Sequence, residues 1–191
     1  MIYTESEAFI LNDDLSMDPQ KQLSPVLQFN SGPILVENID KDLRSKGYRF
    51  SRRQISDAIE AADAAEKAFL EDLYARGDSF LEKTSDRIAY LGVGRDYVVL
   101  DPEASSYAGA MFSQTRGLDF IPQIFLRHRF AALSPDLRQT EYWCESIDIL
   151  RAHLYAASRP GLYPIRLMNF GCGPDSMKIY QEERIHLAGG K

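Results

Sequence analysis

The sequence predicts an α/β fold, a Rossmann-like parallel sheet flanked by helices, with an irregular N-terminal segment. Three observations carry this. Short apolar runs at 87–93, 118–126 and 163–168 are bounded by glycine and proline, and stretches of helical periodicity separate them. That alternation builds parallel strands joined by crossover helices. The 191 residues, 45% apolar and 26% charged, suffice for one domain with its own core and have the composition of an ordinary globular protein.

Along the chain, residues 1–32 read as irregular. Asn12-Asp13-Asp14 and Met17-Asp18-Pro19 are turn-rich, and Pro25 interrupts the apolar stretch Leu23 to Phe29. The expected division is therefore an irregular segment over 1–32 and a Rossmann-like α/β domain over 33–191. Ser51 and Gln54 form a capping box at the start of a structural helix. Its predicted inner face carries Ile55, Ile59, Ala62, Ala65, Phe69 and Leu73, and Gly77 is its expected terminator. Arg87 to Val93 reads as a strand entering the loop Gly94-Arg95-Asp96-Tyr97, and Tyr97 to Leu100 is not expected to open a helix. Residues 103–116 are expected to be helical, with Ala104, Ala108, Met111 and Phe112 inward. Leu118 to Leu126 is a second strand, although Pro122 removes a ladder donor. Thr140 is the expected cap of a long helix with Trp143, Ile147, Leu150, Leu154 and Ala157 inward, stopped by Pro160-Gly161. The third strand, Tyr163 to Met168, leads into Asn169 to Ser176 and a polar, helix-like tail from Met177 to Leu187. No internal repeat or low-complexity segment is present.

A formal charge of −6 argues against sequence-independent nucleic-acid binding, which leans on a basic surface. Arg127-His128-Arg129 is the one compact basic run, and such a run is more often a solvated strand end than a phosphate site. No stretch has the apolar length that crosses a bilayer. The amino terminus lacks a basic region followed by an apolar core, and two cysteines make no disulfide framework, so the cytoplasm is the expected compartment.

Cys172, between Gly171 and Gly173 after a strand, lies where open α/β sheets place ligands. Asp175 or Ser176 can cap the helix that follows, and proximity to that helix's positive end favours thiolate. The competing reading is a small buried hydrophobe in a turn. Arg95, on a strand-following loop, could pair with a phosphate or carboxylate of a ligand, or form a salt bridge to Asp101 or Asp96. The parallel sheet places both loops on one edge. Gly92-Val93-Gly94 lacks the third glycine of a dinucleotide loop. Cys144 reads as a packing thiol beside a core-facing Trp143. His128, His153 and His186 show no metal-ligand spacing and read as surface or structural residues. No residue is assigned a catalytic role.

Several strings taken together resemble a known family. These are Gly94-Arg95-x-Tyr97, Asp101-Pro102, Leu118-Asp119-Phe120-Ile121-Pro122, Tyr142-Trp143, Leu162-Tyr163-Pro164-Ile165 and Asn169-Phe170-Gly171-Cys172-Gly173-Pro174-Asp175-Ser176. Over roughly residues 25–188 the chain resembles the 2-hydroxyacyl-CoA dehydratase-related region of CoA-substrate-specific enzyme activases. The resemblance implies an iron–sulfur system for ATP-driven, low-potential electron transfer in anaerobes, with a 4Fe-4S cluster shared with other dehydratase or activase domains or subunits and a CoA-linked substrate. It makes Cys172 the candidate cluster ligand, with Arg95, Gly171, Gly173, Asp175 and Ser176 as ligand-binding residues. The sequence departs from the family pattern at Asp96, where proline is common, and in lacking further cysteine motifs. It also stops at Gly189-Gly190-Lys191, where relatives continue, so a fragment of a larger protein, a split gene product or a divergent relative is expected. The alternative expectation is a cluster-free structural or docking domain that retains the family fold. A stand-alone CoA- or nucleotide-binding module using Arg95 is a third.

Overall fold

The computed structural model describes residues 23–25, 27, 29, 31–116, 118–134, 136–137, 141, 143–168 and 173–189. The chain divides into two compact units, Met1–Ala68 and Phe69–Lys191. The first contains helix α1 (Gly32–Ser45) and the opening turns of α2 (Arg52–Lys83). Pro33 stands in the first turn of α1, where a missing N–H leaves no helical bond unmade. The capping box of α2 forms as the sequence predicts. The Gln54 N–H donates to Ser51 Oγ at 3.2 Å, and the Ser51 N–H donates to Gln54 Oε1 at 2.9 Å.

Gly77 does not terminate α2. The helix runs on to Lys83, and Gly77 is buried so tightly that a Cβ there would overlap the Phe125 carbonyl. Glycine is tolerated inside the helix for this close approach rather than for a C-cap. The expected apolar face is also interrupted: Ile55 and Leu73 are buried, but Ala62 and Ala65 are exposed and Phe69 is 60% exposed.

The second unit is built on a three-stranded parallel sheet, order β2-β1-β3, with β1 Ala89–Val93, β2 Asp119–Pro122 and β3 Leu162–Arg166. This is the α/β fold expected. Leu91 lies opposite Ile121 on one side and Pro164 on the other. One face of the sheet presents Ala89, Leu91, Val93, Ile121 and Leu162 to a core shared with Phe130, Ile149, Ala152 and Ala156. The opposite face presents Tyr90, Phe120 and Tyr163, and Phe112 stacks on Phe120 with centroids 5.4 Å apart.

The connections carry a short helix α3 (Asp96–Leu100), then α4 (Ala108–Arg116), a 3-10 turn (Gln123–Leu126), α5 (Arg127–Phe130) and α6 (Cys144–Ser158). α7 (Gly173–Ser176) and α8 (Ile179–Ala188) follow β3. Helix α3 overturns the expectation that Tyr97 to Leu100 is not helical. It buries Val98 and Val99, and five residues are too few for a periodicity to be read. Helix α4 starts at Ala108 rather than 103, because Ser106 and Tyr107 take φ of 52° and 56° and break the right-handed run. Ala108 is buried as expected, while Ala104 and Met111 are exposed. The second strand is cut to four residues, and the chain turns into 3-10 geometry directly after Pro122.

In α6, Ile147 and Leu150 face the core as predicted, but Trp143 is the N-cap and 51% exposed. The proposed cap Thr140 lies outside the described residues. Gly161 follows the helix at φ 79°, in the left-handed region, so the Pro160-Gly161 stop holds.

Candidate functional site

From β1 the chain goes to β2 on one side and then crosses to β3 on the other, so the carboxyl ends of β1 and β3 flank a topological switch point. Two backbone contacts shape this edge. The Leu167 N–H donates to the Val93 carbonyl at 2.8 Å, and the Leu167 carbonyl lies where a Cβ on Gly94 would stand. The buried side chain of Gln123 donates from Nε2 to the Gly94 carbonyl at 2.7 Å. Gly92 and Gly94 are thus packing residues: a Cβ on Gly92 would strike the Phe120 ring.

Arg95 sits on this edge with its side chain 14% exposed and pairs with Glu145 in the first turn of α6. The partner expected from the sequence was Asp101 or Asp96. Asp96 instead accepts from Arg127 Nη2 at 2.7 Å, and Arg127 Nε lies 3.0 Å from Asp148. Burial works against the Arg127 charge, but the hydrogen bond and charge of Asp96, with Asp148, outweigh it and raise its pKa. Both guanidinium groups are thus answered by carboxylates of the chain itself, which makes them a poor lure for a free anion.

The basic run at 127–129 is consumed by ion pairs. His128 Nε2 is 2.9 Å and Arg129 Nε 2.7 Å from the same oxygen of Asp78, and Tyr74 packs on the His128 ring. The hydrogen bond from Arg129 lowers the Asp78 pKa, with His128 acting in the same direction against the opposing effect of burial.

Of the sequence-predicted site residues, Gly171 and Cys172 lie outside the described residues. Gly173 is exposed and opens the single turn α7, which contains Asp175 and Ser176. These two do not precede the longer helix as caps. Helix α8 begins at Ile179 with Lys178 as its N-cap, and Lys178 pairs with the buried Glu141. Cys144 is the first residue of α6 and exposed, which overturns its reading as a packing thiol. Among the described residues, no group of three His, Cys, Asp or Glu side chains is placed to hold a metal ion.

A different cluster escaped the sequence reading. His153 of α6, Arg166 at the end of β3, and Glu182 and His186 of α8 converge along a cleft of about 600 Å³ between β3 and α8. The spacing of Glu182 and His186, one helical turn apart, was visible in the sequence. Their pairing with residues 153 and 166 was not.

A family model described as the CoA enzyme activase uncharacterised domain matches residues 2–124. The match includes the Arg95 loop and β2 but ends before Trp143 and the Cys172 loop. Neither the curated proteins nor the solved structures contain a match.

Proposed function

We propose that this chain, which belongs to the family of the CoA enzyme activase uncharacterised domain, is one component of an iron–sulfur, ATP-driven, low-potential electron-transfer system rather than a self-sufficient enzyme. The observation that carries this reading is the family match over residues 2–124. The chain's own residues do not fit a complete cluster site. A 4Fe-4S cluster is generally held by four thiolates, and the whole sequence contains two cysteines. Cys172 therefore contributes at most one ligand to a cluster whose other ligands belong to dehydratase or activase partners. The substrate of the assembled system is CoA-linked, and any ATPase activity belongs to another domain or partner. The compartment expected for this system is the cytoplasm.

A second reading, a cluster-free structural or docking domain, is supported by the internal pairing of Arg95 and Arg127 at the sheet edge. One experiment separates the two. The chain is reconstituted anaerobically with iron and sulfide, alone and with candidate dehydratase and activase proteins from the same organism. The first reading expects a colourless chain alone and a brown complex whose iron content drops when Cys172→Ala is introduced. A complex that forms without iron supports the docking reading. Iron retained in full by the Cys172→Ala complex removes Cys172 from the ligand set.

A further inference from the structure

We propose that the exposed face of α2 within the first unit is a self-docking surface, along which α2 of a second copy of this chain lies antiparallel, with Ile59 at the two-fold axis. This inference is independent of the iron–sulfur reading.

An apolar groove of about 440 Å³ lies between α1 and the opening turns of α2. Ile39 and Leu43 line it from α1, and Ile55, Ala58, Ile59 and Ala62 line it from α2. Phe50, 44% exposed, also borders it. The four α2 residues stand at i, i+3, i+4 and i+7, the spacing that frames the hole offered to a facing helix in knobs-into-holes packing. Past the groove, every residue from Glu60 to Phe69 is exposed. Helices in proteins draw most of their stability from packing one face, and along these turns that face is bare. Ala58, Ala62 and Ala65 form it, with side chains small enough for a second helix to approach closely. By helical spacing, Asp57, Glu60 and Lys67 fall on the opposite side.

Charge names the occupant. Arg52, Ile59 and Glu66 stand seven residues apart and form a row along one flank of the apolar stripe. Arg52 and Glu66 are both exposed, and neither has an ion-pair partner among the described residues, whereas Arg53 pairs with Asp57 at 3.8 Å. A two-fold axis at Ile59 brings Arg52 of each copy beside Glu66 of the other, making two symmetric ion pairs. A parallel pairing would set Arg52 against Arg52 and Glu66 against Glu66, which repels. Antiparallel packing also places the positive end of each helix dipole towards the negative end of the other. A different helix would need the reverse order of charges along its own apolar flank, and α2 already carries that order. Exposed ion pairs add little affinity, so burial of the stripe and groove supplies the attraction and the charges set the direction.

Sedimentation equilibrium of the full chain, from about 1 to 100 µM, reads the oligomeric state. A monomer–dimer equilibrium within that range is expected. Ala62→Glu puts a charge in the middle of the stripe at an exposed helical position. It should leave the helical circular dichroism native and weaken the dimer at least about tenfold. Arg52→Glu opposes like charges at both pairs and should weaken it about tenfold, as should Glu66→Arg. The double variant rebuilds both pairs with their signs exchanged and should return dimerisation to within about threefold of the unmodified chain. A chain that stays monomeric throughout, a dimer unchanged by Ala62→Glu, or a double variant no tighter than the single ones would overturn the proposal.

Discussion

His153 shows how one buried side chain writes a pH dependence into the fold. Its pKa of about 3 lies below the ordinary value of 6.5, so the unfolded chain takes up this proton first as pH falls. Stability contributed by the neutral ring is complete above about pH 6.5 and is lost progressively towards pH 3. The expected loss is about 1.4 kcal/mol per pH unit within that window, or roughly 2 kcal/mol between about pH 6.5 and 5. Urea unfolding across this range measures it, and His153→Gln should flatten the acid limb. An identical slope in the variant would show that another group is responsible.

Helix α2 exposes two kinds of helix signal, one local and one not. The capping box closes within four residues, so Ser51→Ala is expected to lower stability by about 1 kcal/mol, read as a lower Tm. Gly77 works through a distant contact. As an exposed helical position, Gly77→Ala would add about 1 kcal/mol from propensity. Because a Cβ meets the Phe125 carbonyl, a net loss of about 1–3 kcal/mol is expected instead. Thermal unfolding decides between the two signs, and a raised Tm would mean that the 123–126 turn moves aside at little cost.

Across the second unit, Arg127 ties the segment after β1, through Asp96, to α6, through Asp148. Arg127→Leu removes the cation that the half-buried Asp96 and Asp148 share and is expected to cost about 1–3 kcal/mol. A double-mutant cycle with Asp148→Asn should give a coupling energy of at least about 0.5 kcal/mol, measured by denaturant unfolding. Strict additivity would make the bridge incidental. The same pairing explains why the sheet edge, placed correctly by the alternation of strands and helices, is chemically quieter than its residues suggest. Its arginines are already answered by carboxylates from α3 and α6.

Features that close within a few residues were legible in the chain. These include the Ser51–Gln54 cap, the stop at Pro160-Gly161, the three apolar strands and their parallel order, because hydrophobic period and turn chemistry are local properties. The family was legible too, through strings that include the Arg95 loop and β2. Partnerships across about 20 to 50 positions were not. Gly77 against Phe125, Arg95 with Glu145, Arg127 with Asp96 and Asp148, and His153 with His186 and Glu182 each join residues that share no local pattern. An ion pair or a buried imidazole depends on which side chains the crossover connections bring within about 3 Å. That distance is set by the packing of α6 and α8 beside the sheet, and the spacing of letters along the chain carries no record of it.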